Sequence, residues 1–123
     1  MKWLAVALGG AAGSMLRYGL SVALAGASIA FPVGTLAVNV GGSFVLGFVL
    51  AAIPAPTSTA RLLLATGFCG GFTTFSTFSS EIVALAQRGA VGRAGTYAAA
   101  SLFFGVVAVI AGAVAARTLL GAR

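Results

Sequence analysis

Four runs of apolar residues, each long enough to cross a bilayer and nearly empty of charge, settle the solvent of this chain before any motif is read. A helix needs roughly 20 apolar residues to cross about 30 Å of hydrocarbon. Runs of that length lie at about residues 3–24, 31–53, 62–87 and 96–116. Arg17 interrupts the first, Glu81 falls near the end of the third, and the second and fourth hold no charge. Charged residues make up 7% of the chain, against about a quarter in soluble domains. The expectation is an all-α integral membrane protein: one domain over residues 1–123, with four transmembrane helices per subunit.

The formal net charge is +6. Its basic residues are scattered and mostly flank the apolar runs, which suits lipid headgroups rather than nucleic acid. Cys69 is alone and there is no His, so neither an intrachain disulfide nor a Cys/His metal site can form. A lone Cys in an apolar run reads as a small packing residue. The opening MKWLAVALGGAAG has the look of a signal peptide. Removing it would take most of the first run and leave an odd number of spans, so it reads as a retained helix.

The connections are short. Pro32 opens the second run, where its missing N–H is harmless. PAPTSTA (54–60) and RGAVGRAG (88–95) separate the later runs. Function is therefore expected inside the membrane, as transport, channel activity or a structural subunit role. No nucleophile–base pair, carboxylate pair or phosphate loop supports catalysis.

With both ends on one side, that side holds Lys2, Arg61, Arg117 and Arg123, and the other holds Arg88 and Arg93, with Arg17 if it snorkels. So slight a bias under the positive-inside rule lets the chain insert both ways and pair as an antiparallel dimer. Four short helices also enclose little space for a conduit. Small residues recur at four-residue spacing in Gly9/Gly13, Ser43/Gly47, Gly67/Gly71 and Ser101/Gly105. Such pairs let helix backbones approach closely, within a subunit or between subunits.

Polar side chains in lipid need a partner or water. Thr35, Asn39 and Ser43 share one stripe of the second run. Asn39 serves either as interhelical hydrogen-bonding glue or as an amide donor in a pore wall. Tyr97, Ser101 and Gly105 repeat the spacing in the fourth run, where Tyr97 taken alone reads as an interfacial anchor. Arg17 either snorkels or sets a positive potential at a vestibule.

The third run, GFCGGFTTFSTFSSE (67–81), is unlike an ordinary span. Gly70-Gly71 favours a helix interrupted at mid-membrane, and unwound backbone survives there only when buried in protein or lining a cavity. Freed carbonyls bind a cation, and the N-terminus of the next half-helix attracts anions. Beyond the break, Phe75 and Phe78 fall on one helix face, with Ser76/Ser80 and Thr77/Glu81 as stacked pairs beside them. Ring edges carry the positive part of the quadrupole and favour an anion weakly, as conduction requires. Packing bulk is the competing reading of the rings. Glu81 falls too near the end of its run for a midplane coupling carboxylate and suits a hydrogen-bonded structural or vestibule role.

The segments GGAAGSMLRY (9–18), GTLAVNVGGSFVLG (34–47), GFCGGFTTFSTFSSE (67–81) and the Tyr97, Ser101, Gly105 pattern resemble the bacterial Fluc/CrcB fluoride channels over nearly the whole chain. That resemblance implies an antiparallel, dual-topology homodimer in the bacterial plasma (inner) membrane. It implies two fluoride pores per dimer and a structural sodium ion at the dimer interface. The sodium would take backbone carbonyls of Gly70 and Thr73. Phe75, Phe78 and Asn39 would line the pore, with Ser76 and Thr77 as a hydroxyl track, Tyr97 and Ser101 on the fourth helix, and Arg17 at the vestibule. The implied activity is passive export of cytoplasmic fluoride. The alternative class is a small dual-topology, proton-coupled multidrug carrier, which needs a membrane-centred acid that the first run lacks.

Overall fold

The computed structural model describes residues 1–121, so Arg123, counted above among the flanking charges, lies outside the described residues. Every element among the described residues is helical. Helix α1 is Lys2–Ala23 and α2 is Val33–Ala52. Helix α3 runs over 59–72 in three joined parts: Thr59–Arg61, a π-helical stretch Leu62–Cys69, and Gly70–Phe72. Helix α4 is Phe75–Gln87 and α5 is Val91–Leu120. By length and composition, α2 and α5 are apolar enough to cross a membrane as unbroken helices.

Helix α1 packs along α3, and α2 packs along α5. Glycine makes both seams possible. A Cβ at Gly9 would overlap Leu63 O, one at Gly13 would overlap Phe68 O, and one at Gly71 would overlap Gly10 O. The α2–α5 seam is built likewise, with Gly47 against Val109 O and Gly112 against Phe44 O. Three of the four small-residue pairs thus meet helix backbone within the subunit, and without β-carbons the backbones close to direct contact. The π-helical stretch of α3, Leu62–Cys69, is the part that packs along α1.

The third run is broken, but not at its double glycine. Gly70 is helical (φ −62, ψ −37) and the helix continues to Phe72. The extended residues are Thr73 (φ −80, ψ 158) and Thr74 (φ −149, ψ 114). Gly71 is needed for the close approach of α1, and a straight helix satisfies that need. Thr73-Thr74 unwinds because α2 offers Thr74 the two backbone hydrogen bonds that a helix would otherwise supply.

The first connection, residues 24–32, is longer than the sequence suggests, and the two later ones are shorter. Ser58 caps α3 by accepting from the Arg61 N–H, so the helix resumes at Thr59, inside PAPTSTA. In RGAVGRAG only residues 88–90 lie outside helices, because Gly89 turns the chain at φ +77 and α5 begins at Val91. Arg61 caps the end of α2 through the carbonyls of Ile53 and Pro54, at 3.0 and 2.9 Å.

Candidate functional site

The polar stripe of α2 faces the broken run residue by residue. Asn39 Oδ1 accepts from the Thr74 N–H at 2.8 Å, and Asn39 Nδ2 donates to Thr74 O at 3.1 Å. One side-chain amide therefore satisfies both backbone groups of the residue at the break. One turn earlier, Thr35 Oγ1 donates to Glu81 Oε1 at 2.7 Å, and Tyr97 OH donates to Glu81 Oε2 at 2.7 Å. Both carboxylate oxygens are thus engaged, and Glu81 ties α2, α4 and α5 together. Tyr97 is no interfacial anchor: it is 0% exposed, held between this bond and neighbouring rings.

Thr74 also starts the next helix. Its hydroxyl accepts from the Thr77 N–H at 3.2 Å, donates to Thr77 Oγ1 at 3.1 Å, and lies 3.3 Å from Ser76 Oγ. Threonine caps helices this way, with its oxygen on the N3 amide. Sequence reading missed Thr74, although a Thr three residues before another hydroxyl at a helix start was a visible signal.

Three clefts open around the break. The largest, about 400 Å3, is lined by Asn39, Ser43, Phe75, Phe78, Ser101 and Leu102, among others. Here the structure brings together Asn39, both phenylalanines and Ser101. Phe75 is 79% exposed, and its ring lies 5.7 Å from that of Phe78 at 41°. Ser101 Oγ is buried without a hydrogen-bond partner. Buried polar atoms are rarely left unpaired, and this one belongs to a residue that lines the cleft. Asn39 contributes there too, because Nδ2 carries two hydrogens and Thr74 uses one.

A second cleft, about 320 Å3, adjoins it through Asn39, Ser43 and Phe75, and reaches Cys69, Gly70 and Thr73. In a continuous helix the Thr74 N–H would bond Gly70 O; here it goes to Asn39 instead. The Cys69 carbonyl accepts from the Thr73 N–H at 2.9 Å and from the Thr73 hydroxyl at 2.8 Å. Thr73 O receives one Arg17 N–H at 3.5 Å, which leaves its other lone pair. Gly70 is exposed, and a Cβ there would meet nothing within 4 Å.

The third cleft, about 180 Å3, holds Arg17 with Ser14, Tyr18, Thr35, Thr74 and Thr77. Arg17 therefore reaches the break rather than simply snorkelling away from it. Thr77 lines this cleft and not the one with the phenylalanines, while Ser76 is exposed beside Thr74. The structure thus separates the expected hydroxyl track from the ring pair, because consecutive residues of α4 point to different faces.

The rings continue past the pair. Phe78 lies 5.2 Å from Tyr97, and Phe31 meets Tyr97 edge-on at 5.5 Å and 80°. Phe31 carried no motif, and only the fold brings it to this row.

A family profile described as "CrcB-like protein, Camphor Resistance (CrcB)" matches residues 4–113. Three relatives carry the name "Fluoride-specific ion channel FluC". One from Thermus thermophilus is 51% identical over 85% of this chain and 86% of its own length. The Rhizobium etli (strain CIAT 652) protein is 51% identical over 93% of this chain and 94% of its own. That from Roseiflexus sp. (strain RS-1) is 48% identical over 97% of this chain and 99% of its own. A match of that span, on the motifs that build the break, means that this chain belongs to the Fluc/CrcB family.

Proposed function

We propose that this chain forms a passive, fluoride-selective channel in the bacterial plasma membrane, as an antiparallel dual-topology homodimer with two pores. The observation that carries the reading is the cleft joining Asn39, Phe75, Phe78 and the unpartnered Ser101 hydroxyl. Its spare donors are uncharged: one Asn39 N–H and ring edges, with the buried, unpartnered Ser101 O–H in its wall. Such groups replace water around a small anion without the full charge that would trap it. Relatives named as fluoride-specific channels supply the ion. Hydrogen fluoride enters from acidic surroundings and ionises in a more alkaline cytoplasm, so a passive leak for the anion is enough to lower the internal load.

The open second cleft favours a second copy. Phe75 and Gly70 are exposed in the single chain beside polar backbone, which lipid cannot satisfy. The carbonyls of Gly70 and Thr73 suit a structural sodium ion in chemistry, being hard, uncharged oxygen donors at the C-terminal, negative end of a half-helix. Two carbonyls are too few to replace a hydration shell, so the partner's copy would complete the set. Bound there, the ion would supply positive charge that holds the two breaks together. The carrier alternative gains no support, since the single acid, Glu81, has both oxygens occupied by hydroxyl donors.

Fluoride efflux from liposomes holding the purified protein tests the reading, with Asn39→Asp and Phe75→Ile alongside. Wild-type vesicles should release fluoride well above empty ones, and both variants should be slower. Wild-type release no faster than that of empty vesicles defeats the proposal, and drug-driven proton flux would restore the carrier.

A further inference from the structure

Beyond Tyr97 the row of rings ends at Phe31, in the connection between α1 and α2, over a cavity of about 190 Å3. That cavity joins Ser28 and Phe31 on one side to Glu81 and Arg88 on the other. Arg88 is the first residue beyond α4, seven positions after Glu81, and both line this cavity. Arg88 also caps α4, its N–H bonding Ala84 O at 3.2 Å.

Resting on the channel reading, we propose that this cavity is a mouth of the conduction path, on the same side of the break as the Arg17 cleft, to which the Thr35–Glu81 bond links it. Arg88 is its charge-setting residue and Phe31 its last ring edge. An anion reaching this end meets the Glu81 carboxylate and the negative pole of α4. Without a positive group the mouth would repel the ion that the rings have carried to it. Arg88 supplies that charge from the cavity wall. The other nearby cation, Arg93, is held to the connection, its Nη1 donating to Ala30 O at 3.5 Å. Ser28 adds a donor: its oxygen accepts from the Gly34 N–H at 3.0 Å, and its own proton remains available. Phe31 ends the Phe75, Phe78 and Tyr97 series of ring contacts at this cavity, meeting the buried Tyr97 edge-on.

Fluoride efflux from liposomes at about 10 mM and about 1 M of an impermeant salt separates a charge effect from a structural one, because the Debye length falls from about 30 Å to about 3 Å. Arg88→Glu should slow efflux by about threefold or more at low salt, and the deficit should close at high salt. Arg88→Lys should match wild type at both. Phe31→Leu, checked for an unchanged thermal midpoint in detergent, should slow efflux equally at both salts. The proposal is overturned if Arg88→Glu equals wild type at low salt, if its deficit persists unchanged at high salt, or if Arg88→Lys is as slow as Arg88→Glu. Unimpaired Phe31→Leu removes the ring from the mouth. No efflux from wild-type vesicles would sink the channel reading itself, a result separable from all of these.

Discussion

Asn39→Ala should break the device that holds the third run open. Asn39 supplies both hydrogen bonds of the Thr74 backbone, at 2.8 and 3.1 Å, and Thr74 is only 8% exposed. Removing the amide strands a buried N–H and a buried C=O. An unsatisfied buried group costs about 1–3 kcal/mol, whereas single interhelical hydrogen bonds in membranes average about 0.6 kcal/mol. The smaller figure weighs more here, because the freed Thr74 N–H can swing back to Gly70 O and rewind the turn. A loss of about 1–3 kcal/mol is expected from the pair. Asn39→Asp keeps the acceptor for the Thr74 N–H but sets a carboxylate oxygen against Thr74 O in the membrane interior, so it should lose at least as much. Unfolding by SDS in mixed micelles, followed by circular dichroism, measures both. Hydrogen exchange of the peptide containing Thr74 supplies the local readout and should quicken in Asn39→Ala. If Asn39→Ala unfolds within about 0.3 kcal/mol of wild type, with exchange at Thr74 unchanged, the amide does not hold the break.

Three further outcomes separate fold from function. Gly71→Ala places a Cβ on Gly10 O and should lose roughly 2 kcal/mol or more by the same unfolding assay. Gly70→Ala meets nothing within 4 Å in its own chain, so the subunit should fold normally; under the proposed dimer, association in detergent, read by glutaraldehyde crosslinking or light scattering, should weaken. Ser101→Ala removes a buried hydroxyl that has no partner, so stability should hold or rise slightly while liposome fluoride efflux falls.

Residue types and spacings already carried much of this arrangement. Thr35, Asn39 and Ser43 repeat every fourth position, and all three do turn toward the broken run or its clefts. Phe75 and Phe78 fall on one face because the helical period puts them there. The site of the break was not legible. Gly70-Gly71 is the better local breaker, but tertiary contacts overrode propensity: α1 needs the bare backbone of Gly71, and Asn39 captures Thr74. Tyr97, read alone, suggested an anchor for the same reason. Its partner, Glu81, is sixteen positions away on a different helix, and no window on the fourth run contains it. Phe31 and Ser28 sit in a connection without a motif, so only folding reveals that they reach the end of the ring series.

One side chain thereby couples two opposite electrostatic demands. A helix broken at mid-membrane exposes carbonyls at the end of its first half and amides at the start of its second. Left alone, either set would be costly in lipid. Asn39 settles the residue between them and, by diverting the Thr74 N–H, releases the Gly70 carbonyl on one side. On the other side Thr74 caps α4 with its own hydroxyl, so the first turn of that helix starts with Phe75 at the cleft. Under the proposed function the cation site and the anion path therefore share a single hinge. A substitution at Asn39 that spared the rings should still disturb both: sodium dependence of dimer stability and fluoride efflux should fall together. Loss of one with full retention of the other would mean that the two sites are built independently.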